Sequence, residues 1–218
     1  MKPIAVLVVA KAPVPGLAKT RLAAGIGDRA AADIAAAALL DTLDAVAGAT
    51  VSARVVALTG DLERARCGGE IRDRLDDFIV VPQRGVGFAQ RLANAHADAA
   101  AVTGLPVLQI GMDTPQVTAV LLDECGQALA DADAVLGMAC DGGWWVLGVR
   151  DWRTAGCLAG VEMSTSRTGT ETLAALRDTG ATVTLVAEMS DFDTADDISE
   201  VRQLCAPGSR FVRAVQGV

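Results

Sequence analysis

Four stretches of the chain combine residue types that serve phosphate and metal chemistry. The first runs from Lys11 to Arg21 and carries Lys11, Lys19 and Arg21 together with Pro13, Pro15 and the flexible Gly16. Phosphate oxygens accept hydrogen bonds from ammonium, guanidinium and free backbone N–H groups, and such a loop can offer all three. Its spacing is not that of a Walker A loop, and the run from Gly85 to Gln90 lacks the last glycine of Gly-x-Gly-x-x-Gly. A merely solvated basic loop is the plain alternative. The second stretch, Gln109 to Pro115, places Asp113 just past an apolar run, where one carboxylate can hold Mg²⁺ while water and phosphate oxygens complete the octahedron. The alternative is a helix cap before Pro115, with Thr114 the better candidate. In the third, Ser190 to Ile198, Thr194 and Asp197 read as a capping box with Asp196 favouring the helix dipole, which leaves Asp191 and Asp193 unexplained. Asp193 is the candidate second metal carboxylate. The fourth runs from Cys140 to Gly148. Gly142 and Gly143 permit close backbone approach to a ligand, Asp141 can act as general base, and Trp144 can stack, unless the segment is a bulge with packed indoles.

The scarce residues exclude other chemistries. A single histidine, His96, rules out zinc sites built on several imidazoles and disfavours hydrolase triads. Five cysteines, none spaced Cys-x-x-Cys, read as reduced structural thiols. The net charge of −8 opposes polymeric nucleic acid as a partner. That charge is uneven. Lys2, Lys11, Lys19 and Arg21 precede the first acid, Asp28, so the chain opens at +4 and the remainder carries −12. A small polyanion bound near the N-terminus accounts for this asymmetry. No apolar run approaches the ~20 residues of a membrane span, and no signal-peptide pattern is visible, so a cytoplasmic location is expected.

These candidates must be held by an ordered scaffold, and 218 residues with 51% hydrophobic and 21% charged suffice for one packed domain spanning 1–218. Strands are predicted at 4–10, 51–58, 78–81, 106–110, 134–138, 144–149 and 183–187. Helices are predicted at 29–47, capped by Asp28, and at 62–75, 88–102, 117–129, 170–179 and 195–204. The alternation implies an α/β fold: a single doubly wound, mostly parallel sheet with helices on both faces. In such folds ligands bind beyond the carboxyl ends of the strands. The loops after residues 10, 110 and 187 should therefore face one crevice.

The order of these motifs resembles a bacterial family of small glycosyltransferase-like proteins with the nucleotide-diphospho-sugar transferase (GT-A) fold. It comprises Lys11 to Leu22, Gly111-x-Asp113-x-Pro115, Asp141 to Gly148, Ser164-Thr165, and Asp193-Thr194-x-x-Asp197. It is more distantly similar to guanylyltransferases of cofactor synthesis. The resemblance implies Lys11, Lys19 and Arg21 on donor phosphates and Asp113 with Asp193 on Mg²⁺ or Mn²⁺. Two departures stand out: Gly111 occupies the place of the first acid of Asp-x-Asp, and Trp144 and Trp145 stand where relatives carry tyrosines.

The expected function is a metal-dependent transferase using a nucleotide-activated small-molecule donor, with glycosyl transfer first. Lys19, Arg21 and Asp141 are the expected catalytic residues, and Lys11, Pro13, Gly16, Lys19, Arg21, Gly142, Gly143 and Trp144 the expected substrate contacts. Nucleotidyl transfer with pyrophosphate release, and a catalytically silent nucleotide-binding protein, are the alternatives. The motifs leave the acceptor and the oligomeric state open.

Overall fold

The computed structural model describes residues 2–216, the side chains of Ala195 and Asp196 excepted. The expected first-turn role of Asp196 therefore lies outside the described residues. The first strand, β1 (Lys2–Lys11), shows why the sheet is central. Val6, Val8 and Ala10 enter one core, Ala5, Leu7 and Val9 enter another, and both sets are buried. A strand apolar on both faces needs cover on both.

The remaining strands are β2 (Val51–Thr59), β3 (Ile79–Pro82), β4 (Val107–Gly111), β5 (Ala134–Ala139), β6 (Trp144–Val149) and β7 (Val183–Met189). They form one sheet in the order β3-β2-β1-β4-β6-β5-β7, parallel except for β6, which runs antiparallel to both neighbours. This is the doubly wound, mostly parallel α/β sheet expected. The helices are α1 (Thr20–Ile26), α2 (Asp28–Gly48), α3 (Gly68–Leu75), α4 (Phe88–Thr103), α5 (Ala119–Asp131), α6 (Thr168–Asp178), α7 (Ala195–Leu204) and α8 (Arg210–Ala214), with a 3₁₀ helix over Trp152–Gly160. Residues of α2, α3 and α5 pack on one face of the sheet, while those of α4, α6 and the 3₁₀ helix pack on the other.

Several expectations are corrected. Asp28 lies inside the first turn of α2, and Gly27, with φ 87°, is the N-cap. The helix expected from residue 62 begins at Gly68. Asp61 accepts from the Glu63 N–H in a tight turn, and Cys67 is held left-handed at φ 51°. Thr114 caps nothing; α5 starts later, with Thr118 accepting from the Leu121 N–H. At α7 the Asp197 carboxylate accepts from the N–H groups of Asp193 and Thr194 and from the Thr194 hydroxyl, so the expected pairing of Thr194 with Asp197 is present.

A third apolar cluster was not foreseen. Leu22 of α1, Ile34 of α2, Val201 of α7 and Phe211 of α8 enclose Phe192, whose ring lies 4.9 Å from that of Phe211. Arg210 fastens α8 to α2 and α3 through Asp41, Asp44 and Glu70. With Phe192 fully buried, its neighbours Asp191 and Asp193 are fixed by the packing around it rather than by their own loop.

Candidate functional site

The carboxyl ends of the strands open into a cleft of about 800 Å³. The three loops expected there do converge. Lys19 is the N-cap of α1 in a left-handed conformation, φ 49°. Its ammonium donates to Asp113 Oδ2 at 3.0 Å, to Asp193 Oδ1 at 3.4 Å and to the Phe192 carbonyl. It also lies 4.4 Å from the centroid of the Phe192 ring, a cation–π contact. Burial disfavours the Lys19 charge, but the carboxylates of Asp113, Asp193 and Asp191 outweigh it and hold the pKa above the ordinary lysine value. Arg21 reaches the other oxygen of Asp193, its Nη1 donating at 2.8 Å. Lys19 and Arg21 therefore spend their charge on the two candidate metal carboxylates.

Gly111 has a structural reason to lack a side chain: a Cβ there would lie 2.6 Å from Asp113 Oδ1. A side chain at 111 would require the Asp113 carboxylate, the free end of a flexible side chain, to swing aside. Asp191, which the sequence left unassigned, also lines the cleft. Burial first, then the fields of Asp113 and Asp141, push its carboxyl up to about 6, against the pull of Lys19. Among the described residues no group of three histidine, cysteine or acidic side chains is arranged to hold a metal by itself. A divalent ion here would rest on the Asp113–Asp193 pair, and that pair already holds a cation, the Lys19 ammonium. Two carboxylates around one positive charge suit Mg²⁺ or Mn²⁺, which keep much of their shell for water and phosphate.

The fourth stretch forms the opposite wall. Asp141, Gly143 and Trp144 line the cleft, and Asp141 Oδ1 accepts from the Gly143 N–H at 2.7 Å. Trp144 and Trp145 both contribute to the cleft lining but differ in exposure. Trp145 is buried and donates to the Ala187 carbonyl at 2.8 Å, while Trp144 faces the cleft beyond a register shift in the β5–β6 hairpin. Gly142 does not line the cleft. At φ 91°, its missing Cβ would stand 2.1 Å from the Ser166 carbonyl oxygen, and its own carbonyl accepts from the Gly169 N–H at 2.8 Å. It docks the hairpin against the start of α6. Pro13 and Gly16 are likewise absent from the lining. Pro13 is buried, its carbonyl accepting from the Arg66 N–H, and Gly16 turns the loop at φ 76°. Lys11 lines the cleft on the α4 side.

Gln109, inside the second stretch but given no role there, and Arg91, not singled out at all, are both cleft residues. Gln109 sits mid-strand among apolar neighbours, where periodicity gives it no flag, and Arg91 lies on an ordinary amphipathic helix. His96 is fully buried on α4 with both ring nitrogens unpartnered, and burial pushes its pKa down to about 3. It is a neutral core residue, outside the cleft. The five cysteines are all free thiols. No helix among the described residues is long and apolar enough to cross a membrane.

The fold is that of the nucleotide-diphospho-sugar transferases. A solved structure from Desulfovibrio desulfuricans, provisionally described as a nucleotide-diphospho-sugar transferase, matches with a TM-score of 0.85 at 22% identity, covering 99% of this chain and 95% of that one. The Mycobacterium tuberculosis protein Rv0371c, solved as a manganese complex, matches with a TM-score of 0.55 at 20% identity, covering 91% and 97%. The 4-diphosphocytidyl-2C-methyl-D-erythritol synthase of Anaerococcus prevotii matches at 0.59 and 16%, covering 92% and 96%. The chain belongs to the family described as uncharacterized protein conserved in bacteria (DUF2064), whose profile matches residues 42–165. No curated protein matches the chain.

Proposed function

We propose that this protein is a cytoplasmic, divalent-metal-dependent transferase that takes a nucleotide-diphospho-sugar as donor and passes the glycosyl group to an acceptor hydroxyl. The observation that carries the reading is the meeting of Lys19, Asp113 and Asp193, from three separate loops, in one cleft at the carboxyl ends of the strands. Asp113 and Asp193 would hold Mg²⁺ or Mn²⁺, and the manganese complex of the mycobacterial neighbour supports that choice. When bound, the ion supplies positive charge for the leaving diphosphate. The protein's part is positioning and electrostatics. Lys11, Lys19 and Arg21 surround the phosphate end with positive charge, Trp144 and Gly143 bound the opposite wall, and Asp141 takes the acceptor's proton.

A second reading, nucleotidyl transfer, is favoured by Gly111: with no acid two residues before Asp113, the metal site is not the Asp-x-Asp pair usual in sugar transfer. The synthase neighbour supports it also. In that reaction an anionic acceptor attacks the α-phosphorus of a nucleoside triphosphate and pyrophosphate leaves.

The two differ in the bond broken. Thermal shifts with nucleoside di- and triphosphates and nucleotide sugars, with and without Mn²⁺, identify the donor. Assays of released nucleoside diphosphate and released pyrophosphate then separate the reactions. Binding without turnover under any acceptor makes the protein a silent nucleotide binder, and no nucleotide binding at all removes every one of these readings.

A further inference from the structure

The cleft carries two poles of charge, one on each side of the sheet's crest. On the α1 and α7 side, Lys19 and Arg21 are neutralised by Asp113 and Asp193. On the α4 side, β1 alternation turns Lys11 to the same face as Leu7 and Val9, and the register pairs Leu7 with Gln109. Arg91, in the second turn of α4, lines the cleft on that face as well. Neither Lys11 nor Arg91 has a carboxylate partner among the described residues, so both bring uncompensated charge to the cleft. Gln109 is a polar side chain on the same face of the sheet. It is 1% exposed, and its side-chain carbonyl oxygen is sealed from solvent without a hydrogen-bond partner. Gln109 contributes to the cleft lining, where its amide N–H₂ is the group suited to an anion. A buried polar atom left unpaired costs about 1–3 kcal/mol, which a water, ion or ligand group bound nearby relieves.

We propose that Arg91 and Lys11, with the Gln109 amide at the cleft floor, form a preformed anion subsite that takes a phosphate group on the α4 side of the sheet. The loop cations Lys19 and Arg21 are paired with carboxylates, whereas Lys11 and Arg91 are not, so the subsite is the part of the cleft whose charge is left for a phosphate. The ligand class is a diphosphate or phosphate monoester. It rests on the nucleotide reading only in that the phosphate would belong to a nucleotide donor. A guanidinium can bind it in bidentate fashion and an ammonium by charge.

The test is calorimetric titration of the full chain with inorganic pyrophosphate, in the absence of metal. Wild type, Arg91→Met, Arg91→Lys, Lys11→Met and the remote control Arg72→Met are compared. The expected result is measurable binding by wild type, a loss of roughly tenfold or more in Arg91→Met and in Lys11→Met, a smaller loss in Arg91→Lys, and no change in Arg72→Met. Arg72 is exposed on α3, paired with Glu63, and outside the cleft. Wild-type affinity in both Arg91→Met and Lys11→Met overturns the proposal, as does an equal loss in Arg72→Met, or no pyrophosphate binding by wild type. A parallel titration with nucleoside diphosphates separates this inference from the function. Pyrophosphate binding without any nucleotide binding leaves the subsite standing and removes the nucleotide reading. Nucleotide binding undiminished by Arg91→Met does the reverse. Should Arg91→Met fail to fold, as judged by its circular dichroism, Lys11→Met carries the test, because Lys11 is the exposed last residue of β1 and its side chain is no part of the core.

Discussion

Replacing Lys19 with methionine removes the ammonium that joins three loops while keeping the length and apolar stem of the side chain. Its charged hydrogen bonds are worth about 1.5–3 kcal/mol each when well made, and cutting one partner from a buried ion pair costs about 3–5 kcal/mol. Those figures apply to sealed pairs. Here the lysine side chain is 9% exposed, but Asp113 is 35% and Asp193 40% exposed, so water can take over much of the carboxylates' solvation. A net loss of about 2 kcal/mol is expected, which for a domain of this size lowers Tm by about 4–8 °C. Millimolar Mn²⁺ supplies the second half of the prediction. In the wild type the ion competes with the ammonium for Asp113 and Asp193, and in Lys19→Met only the Arg21 contact to Asp193 remains, so Mn²⁺ should raise Tm more in the variant than in the wild type. Thermal denaturation followed by circular dichroism, with and without Mn²⁺, reads both effects. A Tm unchanged from wild type, or equal Mn²⁺ shifts in the two proteins, would refute the reasoning.

The remaining expectations can be stated together. His96 is neutral in the fold, with its pKa near 3, against about 6.5 in the unfolded chain. Its contribution is therefore complete above pH 6.5 and is lost progressively as pH falls towards 3, amounting to about 2 kcal/mol by pH 5. Denaturant titrations at pH 8 and pH 5 should show this loss in wild type and a correspondingly smaller one in His96→Leu. Gly142→Ala forces a methyl group against the Ser166 carbonyl at a left-handed backbone, so it should destabilise by about 1–3 kcal/mol and detach the hairpin from α6. Limited proteolysis across 140–169 reads the detachment, and wild-type resistance there would count against that docking role. Asp141→Asn should lower turnover about 100-fold or more while leaving nucleotide affinity within about twofold, if Asp141 takes the acceptor's proton. A parallel loss of affinity would instead make it a binding residue.

Much of the scaffold is legible in the chain because both-face burial writes itself as unbroken apolar runs, as in Ile4 to Ala10, and alanine-rich amphipathic stretches mark α2 and α4. What escaped detection is held by tertiary contact. The short helices α1 and α8 exist because Leu22 and Phe211 close around Phe192, a cluster assembled from segments almost two hundred residues apart. The start of α3 was misplaced because a left-handed Cys67 and the Asp61 turn overrule helical propensity locally. At the site, the convergence of the loops bearing Lys19, Asp113 and Asp193 followed from where parallel strands end. The partnership within it did not, since no sequence pattern reveals that Lys19 would bind carboxylates 94 and 174 residues away. Gln109 and Arg91 were hidden for a similar reason: each obeys the periodicity of its element, and only the shape of the cleft singles them out.

The central claim is that Asp113, held with Asp193 across one cation, makes nucleotide binding in this cleft depend on a divalent ion. The most direct measurement is calorimetric binding of a panel of nucleoside diphosphates and nucleotide sugars to wild type and to Asp113→Ala, each with and without Mn²⁺. The account predicts a nucleotide whose affinity for wild type rises at least about tenfold, or 1.4 kcal/mol, with Mn²⁺, and a variant in which Mn²⁺ makes no difference. An Mn²⁺ response undiminished in Asp113→Ala, or no nucleotide bound by wild type under any condition, would contradict it.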